Sequence, residues 1–194
     1  RSQIRKAEKN GLTASLGTDE SFLEGFYHVY SKNMRDLGSP AHSIQWFQNI
    51  VKHYGNNVII SNVYNDKEVI GAGIVLFNGT SCSIPWASTN SEFNRLAPNM
   101  LLYWSLLAYA TDRGANSFDF GRSTPNEGTY KFKAQWGAIP KGLDWHEYDE
   151  GELLEKDEQT RHSNLHKYVE KTWRKLPVNV ATYLGSSMRK YISL

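Results

Sequence analysis

Apolar residues recur at every third or fourth position through Phe22, Phe26, Val29, Tyr30 and Met34, which predicts an amphipathic helix. Thr18, Asp19, Glu20 and Ser21 supply a helix start, and Gly38, Ser39 and Pro40 stop it. A second helix is predicted through Ile44, Trp46, Phe47, Ile50 and Val51, ending near Gly55. The pattern then changes to strand-like runs at Val58–Tyr64, Glu68–Phe77 and Ser81–Ala87. Asn65-Asp66 and Asn78-Gly79 lie between them as hairpin signals, the second a strong one. A long helix follows, with Pro98 in its first turn and Leu101, Leu102, Leu106 and Ala110 running on to Gly114. Ser117–Phe120 alternates polar and apolar like a half-buried strand. Residues 122–128 read as a loop, and Tyr130–Trp136 as a short helix closed by Gly137. A strand around Leu143–Tyr148 and two helices broken at Leu176-Pro177 complete the chain. There are no internal repeats and no low-complexity tracts.

At 194 residues, 40% apolar and 22% charged, the composition suits one compact domain with a substantial core. No apolar run approaches the roughly 20 residues of a membrane-spanning helix. The chain begins at Arg1, so a preceding region is one expectation. The single cysteine, Cys82, allows no internal disulfide and reads as a small apolar strand residue. The six histidines are scattered without metal-ligand spacing, so no metal is expected, and His146 reads as a strand surface residue. A cytoplasmic setting is the simplest expectation, with the inner face of a membrane as its variant.

Net charge is only +2, but its distribution is uneven. An acidic stretch runs from Glu147 to Glu158, interrupted by Lys156. Beyond it come Arg161, Lys167, Lys171, Arg174, Lys175, Arg189 and Lys190 against the single acid Glu170. This is either a solvated linker and helices with basic outer faces, or a surface for the phosphates of tRNA or of an anionic leaflet. Pattern alone leaves both open.

The passage from Asn116 to Gly137 holds the densest chemistry: Asp119, Arg122, Tyr130, Lys131, Lys133 and Trp136 among glycines. A strand that delivers polar groups into a loop at its C-terminal end is where α/β enzymes commonly build sites. Three segments here resemble a known family: Ile4–Gly11, Phe118–Ser123, and Gly128–Lys133 with Trp136-Gly137. They resemble the Fem-type aminoacyltransferases and their FemAB-like relatives, a branch of the GNAT acyltransferase superfamily. The span from Asn33 to Trp145 is similar to bacterial FemAB-like proteins associated with exopolysaccharide and protein-sorting gene sets. The Tyr130–Lys133 element is fairly specific, whereas the lysine-rich opening alone is weak.

The resemblance implies an α/β (α+β) GNAT-like fold, a mixed and mostly antiparallel sheet flanked by helices, with extra C-terminal helices. Residues 1–160 would form the acyltransferase domain, and residues 161–194 basic helices packed on or beside it. The predicted element order agrees. It implies transfer of an aminoacyl or acyl group to an amine of a cell-wall or polysaccharide precursor. A preceding GNAT-like domain of the same protein would then be a partner, because Fem-type enzymes have two.

Acyl transfer to an amine passes through an oxyanion and needs positive charge or N–H donors near the carbonyl oxygen. It also needs groups that accept and donate protons. Lys133 is the candidate for fixed charge and Tyr130 for the proton; on a helix they are three apart and share a face, with Lys131 pointing elsewhere. The resemblance implicates the lysine and the aromatic before it, Phe132, in donor positioning and charge stabilisation. Arg122 is placed to hold a phosphate or carboxylate, or else to pair with Asp119 or Glu127. Asp119 faces a pocket or caps the next loop, and Ser123 beside Arg122 is a further substrate-binding candidate. Trp136 reads as a core aromatic.

Arg35 and Asp36, between the first two helices, are acceptor-side candidates, although a C-terminal arginine also suits the helix dipole. Trp86 and Ser88 at the end of the third strand, and Asn99 and Tyr103 on the next helix, are the remaining candidates for the cleft. No glycine occurs between Ser91 and Asn99, where coenzyme A–binding relatives usually cradle a pyrophosphate. No tightly bound cofactor is therefore expected, and aminoacyl-tRNA is favoured over acetyl-coenzyme A as donor. The alternatives are an acetyl-coenzyme A–dependent N-acyltransferase and a non-catalytic module that binds RNA or a partner.

Overall fold

The computed structural model describes residues 2–144, 147–149, 152–154 and 164–191. The chain opens with helix α1 (Ser2–Lys9) and strand β1 (Leu12–Gly17). Helix α2 (Glu20–Leu37) starts where expected: Asp19 Oδ1 accepts from the N–H groups of Ser21 and Phe22 at 3.0 and 3.3 Å. It ends at Gly38, whose φ of 77° lets Ser39 N–H reach back to Met34 O at 2.9 Å. Helix α3 (Ile44–Tyr54) is capped by Ser43. Strands β2 (Val58–Asn65), β3 (Glu68–Asn78) and β4 (Ser81–Thr89) form the antiparallel meander signalled by the two turns. Helix α4 (Pro98–Asp112) then crosses back, and strand β5 (Ser117–Asp119) joins β4 in parallel.

One sheet in the order β1-β2-β3-β4-β5 results, antiparallel except at its last pair. Both of its faces are covered. Val58, Ile60, Ala72 and Ile74 pack with Phe26, Tyr30 and Phe47 of α2 and α3. Ile59, Val63, Ile70 and Val75 pack with Ala7 of α1 and Leu102 and Leu106 of α4. Covering both faces explains why Val58-Ile59-Ile60 reads as a continuous apolar run rather than an alternation.

Helix α1 and strand β1 are additions to the predicted elements. β1 pairs antiparallel with β2 from Leu12↔Asn65 to Gly17↔Ile60, yet only Leu12 is buried. An edge strand this exposed leaves almost no hydrophobic pattern to read. The short helix α5 (Gly128–Ala134) begins two residues before Tyr130 and ends earlier than expected, with Gly137 left-handed at φ 79°.

The strand expected at Leu143–Tyr148 is a correction. Leu143 is outside any strand and 61% exposed, so nothing buries it. Among the described residues, strand β6 (Glu147–Asp149) pairs with β7 (Glu152–Leu154) alone, in a separate two-stranded sheet. Trp145, His146, most of the acidic stretch and the boundary expected at 160/161 lie outside the described residues.

Helices α6 (Asn164–Trp173) and α7 (Val178–Met188) close the chain on either side of Leu176-Pro177. Both lie against α2. Arg35 donates from Nη1 to Leu176 O at 2.9 Å, and Arg189 Nε donates to His42 Nε2 at 3.2 Å.

Candidate functional site

The site grows from unequal strand lengths. β4 has nine residues and β5 three, and their pairing ends at Ser83↔Asp119. The chain then turns away through Gly121, at φ 71°, with Ile84 O 3.9 Å from where a side-chain carbon would stand. From Ile84 to Thr89, β4 has no strand beside it on that edge among the described residues, so the sheet opens into a fork. The fork is an open notch; two surface hollows lie along α1 and between β1 and α4.

A bulge sets what β4 presents there. Leu76 pairs with Ser83 but Ile74 with Trp86, so one extra residue sits at Ile84-Pro85. Before it, Cys82 and Ile84 face the α4 layer; after it, Trp86 and Ser88 face α2 and α3. Trp86 packs edge-on against Phe47, 5.2 Å between ring centres. Ser88, 5% exposed, accepts from Asn33 Nδ2 at 3.2 Å.

The loop after β5 is held from both ends. Asp119 Oδ1 accepts from Gly121 N–H at 2.7 Å. Lys133, reaching back from α5, donates through Nζ to Gly121 O at 2.9 Å and to Arg122 O at 2.7 Å. Burial pushes the Lys133 ammonium below the ordinary lysine value, and the Asp119 charge opposes that shift. Tyr130 is half-buried one turn earlier on α5, and Arg122 is exposed. Ser123 Oγ and Trp136 Nε1 are buried there without a hydrogen-bond partner among the described residues.

An aromatic cluster fixes α5 to α4. Tyr103, 7% exposed, stacks on Phe120 at 5.8 Å and meets the edge of Phe132 at 4.8 Å. Phe118 and Trp136 extend the group. Burial raises the Tyr103 hydroxyl to about 12, so it stays protonated at neutral pH. The structure thus gathers Asp119, Arg122, Ser123, Tyr130, Phe132, Lys133 and Tyr103 on the β5–α5–α4 side. Asn99 is half-buried in the first turn of α4.

Arg35 and Asp36 stand apart from this group, at the end of α2. Arg35 Nε donates to Asp36 Oδ1 at 2.6 Å, and the same guanidinium holds the α6–α7 junction. Arg35 thereby ties the end of α2 to that junction, braced by Asp36.

Sequence reasoning missed the backbone at Ala97. It sits left-handed, at φ 62°, immediately before α4, with no side chain capping the helix. A non-glycine residue there stores about 1 kcal/mol or more. Pro98 has no N–H, and Met100 N–H bonds Ala97 O at 3.1 Å, which leaves the Asn99 amide as a first-turn donor. An alanine carries no signal for this conformation.

Comparison with known proteins agrees with this fold. Residues 1–134 match the family described as the acetyltransferase (GNAT) domain. The chain is 23% identical over 88 residues to the lipid II:glycine glycyltransferase of Staphylococcus saprophyticus, covering 42% of this chain and 21% of that protein. The Staphylococcus aureus protein of the same name is 24% identical over 76 residues, 36% of this chain and 18% of its own. The matches thus span about a fifth of the length of these relatives. Among solved structures, FemX superposes with a TM-score of 0.57 at 15% identity, over 89% of this chain and 52% of FemX. The ribosomal-protein-S18-alanine N-acetyltransferase of Escherichia coli gives 0.56 at 13% identity, over 65% of this chain and 76% of its own. An aminoglycoside acetyltransferase from an uncultured soil metagenomic sample gives 0.58 at 11% identity, over 73% and 97%. A five-stranded sheet forked at its parallel edge, and a family match over more than half the residues, lead to one conclusion: the chain belongs to the GNAT acyltransferase family and, within it, is similar to the Fem-type glycyltransferases.

Proposed function

We propose that this chain is a Fem-type acyltransferase domain that moves an aminoacyl or acyl group onto an amine of a cell-wall or exopolysaccharide precursor. The observation that carries the reading is the half-buried Lys133 ammonium at the mouth of the β4–β5 fork. An ammonium has three donor hydrogens. Two lie on the carbonyls of Gly121 and Arg122, and the third is assigned to the donor's carbonyl oxygen, where negative charge develops in the tetrahedral intermediate. Asp119 keeps Lys133 charged, Tyr130 takes or relays the amine proton, and Arg122 holds an anionic group of donor or acceptor.

Aminoacyl-tRNA is the donor in this reading, and similarity to proteins named lipid II:glycine glycyltransferase supports a cell-wall precursor as acceptor. A lipid-linked acceptor would bring the domain to the inner face of a membrane. A second GNAT-like domain would complete the acceptor cleft, in keeping with a match to only 52% of FemX. Acetyl-coenzyme A is the second reading. It is favoured by the uncapped start of α4, whose Asn99 amide could meet a phosphate, and by the acetyltransferases of similar fold.

The test is single-turnover transfer from aminoacyl-tRNA to an amine-bearing precursor by the intact protein. Lys133→Ala should slow transfer about a hundredfold or more, the scale of losing one oxyanion donor. Tyr130→Phe should slow it less. Unchanged turnover in both variants would sink the assignment.

A further inference from the structure

Helix α7 is inside out for a surface helix. Its eleven residues carry no charge. The small residues Ala181 and Gly185 face the protein, and a side-chain carbon at Gly185 would stand 2.7 Å from the backbone N of Ala41. The large apolar residues face outward: Val180 is 43% exposed, Tyr183 74%, Leu184 39% and Met188 45%. Their spacing of three, four and eight from Val180 makes them one stripe along the helix. A helix that covers a core normally presents the reverse arrangement.

Other exposed apolar groups lie close by. Leu37, 54% exposed, accepts from Arg174 at its carbonyl, and Trp46, 47% exposed, stacks on the His42 ring that Arg189 contacts. Basic residues flank the stripe in sequence. Lys171, Arg174 and Lys175 precede α7 and are exposed, and Arg189 and Lys190 follow it in sequence. From Asn164 to Tyr191 the only acid is Glu170.

We propose that the outer stripe of α7 and the basic residues ahead of it form a peripheral docking surface for an anionic lipid bilayer. The chemistry selects this occupant. Aliphatic side chains such as Val180, Leu184 and Met188 gain nothing from a nucleic-acid backbone but are stabilised in the acyl boundary of a membrane. The exposed Lys171, Arg174 and Lys175 ahead of α7 meet lipid phosphates, and Tyr183 suits the interfacial zone. A second copy would bring two basic rims together. The inference deepens the membrane-side part of the function above and rests on it only for the compartment; vesicle binding needs no turnover, so either can fail alone.

The full chain would be sedimented with extruded vesicles of phosphatidylcholine, alone or mixed with phosphatidylglycerol, at low and high salt. Binding is expected to the mixed vesicles, with loss at high salt. Replacing exposed side chains by Val180→Ser, Leu184→Ser and Met188→Ser together should weaken it at least about tenfold. Lys171→Gln with Lys175→Gln should weaken it by about fivefold for each lysine. Circular dichroism of each variant checks that the fold is retained. Four results would overturn the proposal: no vesicle binding, equal binding without phosphatidylglycerol, an unaffected serine variant, or self-association of the wild type that the serine variant abolishes.

Discussion

Lys133 has a structural part, and the proposed function gives it a chemical one; the two separate by measurement. Its ammonium ties the carbonyls of Gly121 and Arg122, residues that lie at the surface. Water replaces such bonds at little net cost, so Lys133→Ala should lower stability to urea by roughly 1 kcal/mol or less. A large loss of turnover beside that small loss of stability marks the chemical part. The pH dependence has a definite sign. Burial holds the Lys133 value below 10.5, so the alkaline limb of activity should fall earlier than for an ordinary lysine. Asp119→Asn removes the opposing charge while keeping an acceptor for Gly121, and the limb should move lower still. A pH–rate profile that ignores Asp119→Asn would contradict the coupling. Spacing alone made Tyr130 and Lys133 neighbours on one helix face. It did not show that loop carbonyls take up the ammonium, because those partners come from a turn 11 and 12 residues away.

At the scale of elements, the docking of α7 depends on close backbone approach and on one histidine. Gly185→Ala would drive a methyl into the backbone of Ala41, a clash no side-chain rotation relieves. A loss of about 1–3 kcal/mol is expected in thermal or urea unfolding. His42 accepts from Arg189 through Nε2, which requires the neutral ring, and burial and the Arg189 charge both hold its value below 6.5. The charged groups around it on the packed elements are thus led by Arg189, with the Tyr30 hydroxyl bonded to the His42 backbone. Above 6.5 the ring is neutral in both folded and unfolded chains, so the group contributes no pH dependence there. As pH falls through 6.5 the unfolded chain gains a proton that the folded chain resists, and stability should drop. His42→Gln should flatten that drop between pH 7.5 and 5.5; an equal drop in the variant would contradict this origin. Strong periodicity and caps made α2, α3 and the β2–β4 meander readable. β1 was not, since only one of its residues is buried, and the β4 bulge was not, since Pro85 marks an irregularity without stating which face follows it.

For the whole molecule, two helical layers cover one sheet, and the early end of β5 opens the fork where the proposed chemistry is placed. Phe26 and Phe47, both fully buried, and Leu102 and Leu106 on the opposite face hold the layers in place. This architecture was legible because the apolar runs of α2 to α4 and β2 to β4 had lengths and boundaries that permitted one element type. The open edge of β4 was not, because it results from where β5 stops, which Gly121 sets through a left-handed turn. Arg35 shows the same limit: its spacing gave no sign that its Nη1 bonds a helix junction 141 residues along the chain. Donor identity is the central claim. Labelled aminoacyl-tRNA and acetyl-coenzyme A, each offered to wild type and Lys133→Ala, test it most directly. Retention of aminoacyl-tRNA that falls with Lys133→Ala is the expected result, and lysine-dependent retention of the coenzyme instead would contradict it.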